Sequence, residues 1–274
     1  MIEIQHSVWR VGQYILKSGS KSALERNAHL LTLLKAEGIP VAEIVPAPSG
    51  ELVLEQDNKY YLMTKCLPGG HIESIYDADY KTIGYKTGET VALLHRAFRN
   101  IENDVSFSRN SFDQELRGWI YQTLEKDGWQ IISKAEFDNS SSTLLEHYDK
   151  LPSQIIHRDM HYGNMLFDGD TFSGYIDFDL SKYDVRLFDL CYFLIGLLVG
   201  HENQPHDVAI WRGFKDAFLA GYENTEELSA IEKECIPYMM VCIEILFVAF
   251  FIREKKPEFA DSAVKLYRFI SRCR

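Results

Sequence analysis

The chain has 274 residues, of which 46% are hydrophobic, 25% charged and 13% aromatic. These values are typical of a folded protein with an apolar core, and they exclude a wholly disordered or fibrous chain. The formal net charge of −11 would repel a phosphate backbone, which excludes nucleic acid as the expected partner.

The cysteines and the apolar stretches of the sequence predict where in the cell the protein is located. The five cysteines are scattered singly, with no CxxC pair, as in reduced cytoplasmic proteins. Residues 1–6 lack the basic and apolar regions of a signal peptide, so export is not predicted. The most apolar stretch, 236–252, contains Pro237 and Glu244 and falls short of the roughly 20 apolar residues of a membrane span. We therefore expect a buried helix, no membrane partner and a cytoplasmic location.

The N-terminal part predicts a small antiparallel sheet with one helix. Alternating, β-rich sequences predict a hairpin over 8–17 and two further strands over 51–54 and 59–64. Between them, apolar residues take helical spacing from Ser22 until Gly38-Ile39-Pro40 ends the run. Proline and two glycines within 66–70 suit a hinge. We expect a boundary there, with a first domain at 1–66 and a second at 67–274.

The second domain is predicted to be mostly helical. Residues 83–99 and 112–132 show helical apolar spacing, and 187–274 predicts further helices that break near 200–205, around Asn224 and at Pro237. One exception is a short hairpin within 164–176, around the turn Asp168-Gly169-Asp170.

Three oxygen-bearing side chains cluster around this hairpin. Asp159 and Asn164 lie on the short loop before its first strand, and Asp177 follows the returning strand. Phosphoryl transfer needs one carboxylate to orient an acceptor hydroxyl, and a second, with an amide oxygen, to hold Mg²⁺. Because a hairpin brings its two ends together, these side chains are predicted to meet at one edge.

The spacing His157-x-Asp159-x-x-x-x-Asn164, followed by Ile176-Asp177-Phe178, resembles the signature of the aminoglycoside phosphotransferase and choline kinase-like family. Asp189-Leu190-Cys191 is similar to the Asp-Leu-Ala of that family. The resemblance implies an α+β, protein kinase-like fold of two lobes. The N-terminal lobe, 1–66, would be a small antiparallel β-sheet with one helix that binds nucleotide, and the C-terminal lobe, 67–274, would be larger, mainly helical, and carry the catalytic and substrate sites.

The same resemblance implies roles around the loop. Asp159 would be the catalytic base or hydroxyl-orienting residue, and Asn164 and Asp177 would be magnesium ligands. His157 is expected to brace the loop through hydrogen bonds, and His161 to shape it.

Two further aspartates follow Asp177, the expected magnesium ligand, along the chain. Asp189 is expected to accept backbone hydrogen bonds from the catalytic loop. Asp179 has two open interpretations: a group that assists the metal or binds a cationic substrate, or a solvated carboxylate.

In the first lobe, the resemblance implies that Lys17 contacts the nucleotide phosphates. Glu25 is the expected ion partner of Lys17, with stabilisation of the helix N-terminus as the alternative. Lys65 and Cys66 fall on the linker whose backbone would read the nucleotide base. The loop that covers the phosphates in the family is expected to be reduced to Ile4-Gln5-His6-Ser7 or missing.

The function that follows is ATP- or GTP-dependent, Mg²⁺-dependent phosphorylation of a hydroxyl on a small molecule. The alternative is a catalytically weak or inactive nucleotide-binding protein with a structural or regulatory role. A cationic acceptor is an open possibility, as is a monomer or a homodimer. Glu244, an acid in an apolar helix, has two interpretations: a ligand for a cation, or a paired core glutamate.

Overall fold

The computed structural model describes residues 2–76, 79–169 and 171–273. It divides into two compact units. The sheet unit comprises Met1–Glu73, Arg96–Phe107 and His161–Ser181, and the helical unit comprises Ser74–His95, Ser108–Met160 and Lys182–Arg274. The sheet unit thus includes three stretches, 67–73, 96–107 and 161–181, that a division at residue 66 would assign to the second domain.

A five-stranded antiparallel sheet forms the first part of the sheet unit. Its strands are β1 (Ile2–Gln5), β2 (Val8–Val11), β3 (Tyr14–Gly19), β4 (Val53–Gln56) and β5 (Lys59–Lys65), in the order β1-β2-β3-β5-β4. The hairpin predicted over 8–17 and both later strands are confirmed. Strand β1, which was not predicted, pairs with β2 through a tight turn at His6 and Ser7, and Ser7 has a φ of 64°.

Helix α1 (Lys21–Ala36) packs on this sheet. Its first turn is capped by Ser20, whose hydroxyl accepts a hydrogen bond from the Ala23 amide at 3.3 Å. Leu24 and Ala28 lie one turn apart on the buried face and pack with Leu62 of β5. The apolar residues that predicted this helix are therefore the ones that pack into the core of the sheet unit.

The second part of the sheet unit is the predicted hairpin, formed by β7 (Met165–Asp168) and β8 (Thr171–Tyr175). Gly70 exchanges backbone hydrogen bonds of 2.9 and 2.8 Å with Phe167 of β7. Gly69 precedes this contact with a φ of 86°, and a Cβ there would lie 1.9 Å from the Phe167 carbonyl oxygen. Only glycine fits at this position, because both the conformation and the close approach exclude a side chain.

The helical unit is built mainly from helices, with one short sheet. Helix α2 spans Tyr80–Ile101, of which the residues up to His95 belong to this unit. The other elements are α3 (Phe112–Glu115), α4 (Tyr121–Asp127), α5 (Lys134–His147), β6 (Ser153–Ile156), β9 (Lys182–Val185), α6 (Leu187–Gly196), α7 (Pro205–Glu223), α8 (Ala230–Arg253) and α9 (Pro257–Arg272). The β6–β9 pair was not predicted from the sequence.

Two helix predictions need correction. The helix expected over 112–132 is interrupted by a π-helical turn at Leu116–Ile120, where Gly118 adopts φ −100° and ψ −111°. It ends at Gly128, which follows α4. The break expected at Pro237 does not occur, and α8 continues through this residue. The buried apolar contacts of α8 offset the hydrogen bond that proline cannot donate.

Helix α8 carries the most apolar stretch of the chain. It is long and apolar enough to span a membrane, yet 61% of its most apolar window is buried inside the protein. This agrees with the predicted buried helix.

Candidate active site

In the helical unit, the loop that carries Asp159 is held by a buried carboxylate. Asp189, in the first turn of α6, is fully buried. Its Oδ2 accepts the His157 backbone N–H at 2.7 Å, and its Oδ1 accepts the Arg158 N–H at 2.8 Å. Both oxygens therefore hold the backbone of the loop directly before Asp159, as expected for this aspartate.

A second layer orients Asp189. The Nε2 atom of His95, on α2, lies 3.2 Å from Asp189 Oδ2, and its Nδ1 lies 2.9 Å from the Tyr222 hydroxyl. His95 and Tyr222 are fully buried. Because both ring nitrogens of His95 are engaged, the ring has one orientation and presents a fixed partner to the carboxylate.

The Asp159 carboxylate is oriented by a tyrosine of α6. The Tyr192 hydroxyl donates to Asp159 Oδ1 at 2.8 Å. Burial, and next the negative charge of Asp159, raise the pKa of Tyr192 well above its usual range. The phenol therefore stays protonated and acts as a permanent donor to the carboxylate.

His157 and Arg158 support this loop in different ways. His157 is fully buried, and its Nδ1 accepts the Asp159 N–H at 3.3 Å, which fits the predicted bracing role. Arg158 has a left-handed φ of 71°. Its guanidinium lies 3.7 Å from the centre of the Phe188 ring and donates to Glu115 Oε2 at 2.7 Å. The strained backbone at Arg158 is thus held by contacts on both sides.

In the sheet unit, Asn164 and Asp177 lie at the same end of the β7–β8 hairpin. The Ile176 N–H donates to the Asn164 carbonyl oxygen at 3.0 Å, directly before Asp177. Asp177 has a left-handed φ of 59°, and Asn164 is buried with 6% of its surface exposed. The hairpin register therefore brings these two predicted magnesium ligands together.

His161 positions the Asn164 side chain. Its Nδ1 accepts the Gly163 N–H at 2.9 Å, and its Nε2 lies 3.2 Å from Asn164 Nδ2. A Cβ on Gly163 would lie 2.5 Å from the ring carbon Cε1 of His161. The glycine leaves the space in which the imidazole folds back over the loop.

Lys17 lies against carboxylates of the segment after β8. Its Nζ is 2.5 Å from Asp179 Oδ2 and 3.5 Å from Asp177 Oδ1. Asn27 of α1 donates to the other Asp179 oxygen at 3.1 Å. Asp179 is therefore a partner of Lys17 and Asn27, while about half of its side chain stays exposed (51%), so both interpretations of this aspartate stay predictions.

The ion partner predicted for Lys17 is wrong. Glu25 lies 4.0 Å from Lys21, one helical turn earlier, and no ion pair joins Lys17 to Glu25 within the part of the chain that the structure describes. Both Lys21 and Glu25 are largely exposed. The helix periodicity favours the local i,i+4 pair.

The predicted linker residues are tied to neighbouring backbone. The Lys65 N–H donates to the Glu43 carbonyl, and the Cys66 N–H donates to the Gln13 carbonyl, both at 2.8 Å. The Lys65 ammonium also lies 3.2 Å from Glu43 Oε1. Both N–H groups are thus already engaged, so the prediction that they donate to a nucleotide base is not supported. A contact through the carbonyl oxygens stays a prediction.

The family model described as "Phosphotransferase enzyme family" matches residues 4–231. The chain belongs to this family. Among curated relatives, a homoserine kinase of Neisseria meningitidis serogroup B is 29% identical over 217 residues, which cover 78% of this chain and 65% of that protein. The chain thus spans slightly less than two thirds of the length of this relative.

Solved structures of a kinase and a phosphotransferase share the fold of this chain. The amicoumacin kinase hAmiN in complex with AMP-PNP, Ca²⁺ and Ami superposes with a TM-score of 0.70 at 16% identity, over 98% of this chain and 88% of that one. An aminoglycoside phosphotransferase from Alicyclobacillus acidocaldarius gives a TM-score of 0.68 at 15% identity, over 97% and 85%. The predicted family and the protein kinase-like fold are confirmed.

The donor set of this phosphotransferase-family chain fits Mg²⁺. Among the described residues, no group of three or more His, Cys, Asp or Glu side chains could hold a metal ion. Asp177 supplies a carboxylate and Asn164 an amide oxygen, and Mg²⁺ typically takes one or two carboxylates, with substrate phosphates and water as its other ligands. These two side chains are therefore suited to a metal that arrives with a nucleotide.

Sequence reasoning missed three of the supporting residues. Tyr192 stands three positions after Asp189, hence on the same face of α6, and this spacing was the available signal. His95 was a lone histidine in an apolar helical pattern. Asn27 carried no signal, since its partner Asp179 is 152 residues away.

Proposed function

We propose that this protein transfers the γ-phosphoryl group of ATP or GTP to a hydroxyl group of a small molecule. The observation that carries the proposal is the Asp159 carboxylate, which accepts a hydrogen bond from Tyr192 on a loop clamped by Asp189. A fixed carboxylate of this kind can receive the proton of an acceptor hydroxyl and align its oxygen with the phosphorus atom.

Family membership supports the remaining roles. Asn164 and Asp177 would hold Mg²⁺, which neutralises phosphate charge and orients the nucleotide when bound. Lys17 would contact the phosphates, with its ammonium kept in place by Asp177 and Asp179. His157, His161 and Asp189 would act as positioning residues, because each bonds to the loop.

The acceptor class is also a proposal. The relative named homoserine kinase and the structural neighbours named for amicoumacin and aminoglycosides all suggest a small hydroxyl compound that carries amino groups. The scattered cysteines and the buried α8 are consistent with a cytoplasmic enzyme.

The test is release of ADP or GDP from Mg²⁺-nucleotide in the presence of homoserine, choline, methylthioribose, amino sugars or aminoglycosides. We expect release with at least one acceptor, and a fall in kcat of about 100-fold or more in Asp159→Asn. Asp261→Asn, an exposed change on α9, is the matched control and should retain full activity.

Two results would overturn the proposal. One is an absence of acceptor-dependent release with both nucleotides, and the other is release that Asp159→Asn does not reduce. Nucleotide binding without release would instead favour the inactive nucleotide-binding protein.

A further inference from the structure

Glu115, the last residue of α3, joins two cations of the helical unit. Its Oε2 accepts a hydrogen bond from the Arg158 guanidinium at 2.7 Å, and its Oε1 accepts one from the Lys182 ammonium at 2.6 Å. Each oxygen of the carboxylate thus has its own cation. None of the three side chains is more than 12% exposed, so these charge-assisted hydrogen bonds are little screened by solvent.

Asp184 of β9 completes this group of charges. Its Oδ2 lies 3.1 Å from the Lys182 ammonium and accepts the backbone N–H of Phe112 at 2.9 Å. We call the four side chains the Glu115 network: Glu115, Arg158, Lys182 and Asp184. Its two cations and two carboxylates cancel in formal charge. Loss of one acid would therefore leave a buried cation without full compensation.

The Glu115 network reaches the loop that carries Asp159 along two routes. The first is direct, because Arg158 immediately precedes Asp159. The second runs through Lys182, the first residue of β9. Lys182 is the cross-strand partner of Ile156, which ends β6 directly before the loop. Glu115 thus contacts one residue within the loop and one residue paired with the strand that leads into it.

The backbone conformation of Arg158 requires such support. Its φ of 71° is uncommon for a residue with a side chain, and it persists only where surrounding contacts hold it. The guanidinium lies 3.7 Å from the ring centre of Phe188 and 5.5 Å from that of Phe112. Without the charge of Glu115, this cation would be buried against aromatic rings with its counter-ion lost, which favours a different side-chain and backbone arrangement.

We propose that Glu115 is a positioning residue for Asp159. It neutralises Arg158 and holds that residue in its left-handed conformation, which fixes the point at which the Asp159 side chain leaves the loop. The inference rests on the proposed function, because it assumes that Asp159 orients the acceptor hydroxyl. Glu115 acts through Arg158 and not on the reacting atoms.

The first experiment is a double-mutant cycle of kcat between Glu115→Gln and Arg158→Gly. Glutamine keeps the size of the side chain and removes its charge, whereas glycine removes the cation and adopts a positive φ without strain. We expect Glu115→Gln alone to reduce kcat by about tenfold or more and to leave the nucleotide KM unchanged.

In the Arg158→Gly background, Glu115→Gln should change kcat by less than about twofold. Glycine then holds the loop conformation by itself, and Lys182 keeps Asp184 as its counter-ion. If Glu115→Gln does not fold, Glu115→Asp repeats the cycle, because it keeps the charge and withdraws the carboxylate by one methylene.

The second experiment measures the loop without turnover. Hydrogen exchange of the backbone amides in residues 156–160, followed by mass spectrometry, should be faster by about tenfold or more in Glu115→Gln. The Arg158→Gly background should remove this difference. Glu125→Gln, an exposed change on α4, is the matched control and should alter neither kcat nor exchange. Thermal unfolding of each variant checks the fold.

Two results would overturn the inference. Equal losses of kcat in the Arg158 and Gly backgrounds would show that Glu115 only supports α3. Unchanged hydrogen exchange within 156–160 in Glu115→Gln would show that it does not hold the loop.

The two proposals fail separately. Faster exchange in Glu115→Gln, without acceptor-dependent turnover by the wild type, would overturn the kinase proposal and leave the loop-positioning role standing. Wild-type turnover that Glu115→Gln does not reduce would do the reverse.

Discussion

Tyr192 donates its phenolic hydrogen to Asp159 over 2.8 Å, and the same helix carries Asp189, which holds the backbone on the N-terminal side of Asp159. One helix therefore controls both the loop and the direction of its carboxylate. The two residues stand at i and i+3, so any shift of α6 would move both supports together.

The first prediction concerns Tyr192→Phe, which removes the hydroxyl and retains the ring. A hydrogen bond to a charged group is worth about 1.5–3 kcal/mol, so we expect kcat to fall by roughly 10- to 100-fold. The nucleotide KM should stay unchanged, because Asp159 is proposed to act on the acceptor hydroxyl and not on the nucleotide. Tyr85→Phe, at a partly exposed tyrosine of α2, is the control. Equal kcat values in the two variants would contradict an orienting role.

The second prediction compares Lys17→Met with Glu25→Gln. Lys17 contacts an exposed Asp179, so its ion pair should contribute less than about 1 kcal/mol to the free energy of unfolding. We expect Lys17→Met to weaken nucleotide binding by about tenfold or more, measured by fluorescence titration, with little change in the denaturation midpoint. Glu25→Gln should leave both quantities unchanged. An equal loss of nucleotide affinity in Glu25→Gln would contradict this prediction and support an ion pair between Lys17 and Glu25.

The third prediction concerns Gly163→Ala. The new methyl group would lie 2.5 Å from His161 Cε1 and 2.7 Å from Nδ1, so the imidazole must move away from Asn164. Loss of such outer contacts typically weakens metal binding by about 10- to 100-fold. The Mg²⁺ concentration for half-maximal activity should rise accordingly. Gly196→Ala is the control, since a Cβ there meets nothing within 4 Å. An unchanged Mg²⁺ dependence would show that His161 does not orient Asn164.

The fourth prediction is a pH dependence of stability. Burial, and next Glu202, raise the pKa of Glu244 from 4.5 to about 8. Between these values the unfolded chain releases the proton of this carboxyl group and the folded protein retains it, so native stability falls as pH rises from about 5 to 8. The Glu244→Gln variant has no ionisable group at this position, so it should not show this fall in stability.

The measurement is the free energy of unfolding by urea at pH 5, 6.5 and 8. The stability of Glu244→Gln relative to wild type should increase across this series by a few kcal/mol, at about 1.4 kcal/mol for each unit of pKa difference. The exposed Glu234→Gln should show a flat difference. A difference that is equally flat for Glu244→Gln would contradict the raised pKa.

Local features were predictable because their contacts are close in sequence. The hairpin at 8–17, the helix from Ser22 and the β7–β8 hairpin each follow from the periodicity of a single stretch. Helix α8 shows the limit of this reasoning. Pro237 signals a break in any local pattern, but tertiary burial of the surrounding helix outweighs one lost hydrogen bond.

The family is recognisable from the amino-acid sequence, because Asp159, Asn164 and Asp177 have their spacing along one loop and one hairpin. The partners of the site residues, in contrast, depend on how the chain packs. Lys17 is 160 residues from Asp177, and the contact between His95 and Asp189 joins residues 94 positions apart. A charged or polar side chain pairs with whichever group the packed backbone brings within reach, and sequence separation carries no information about that distance.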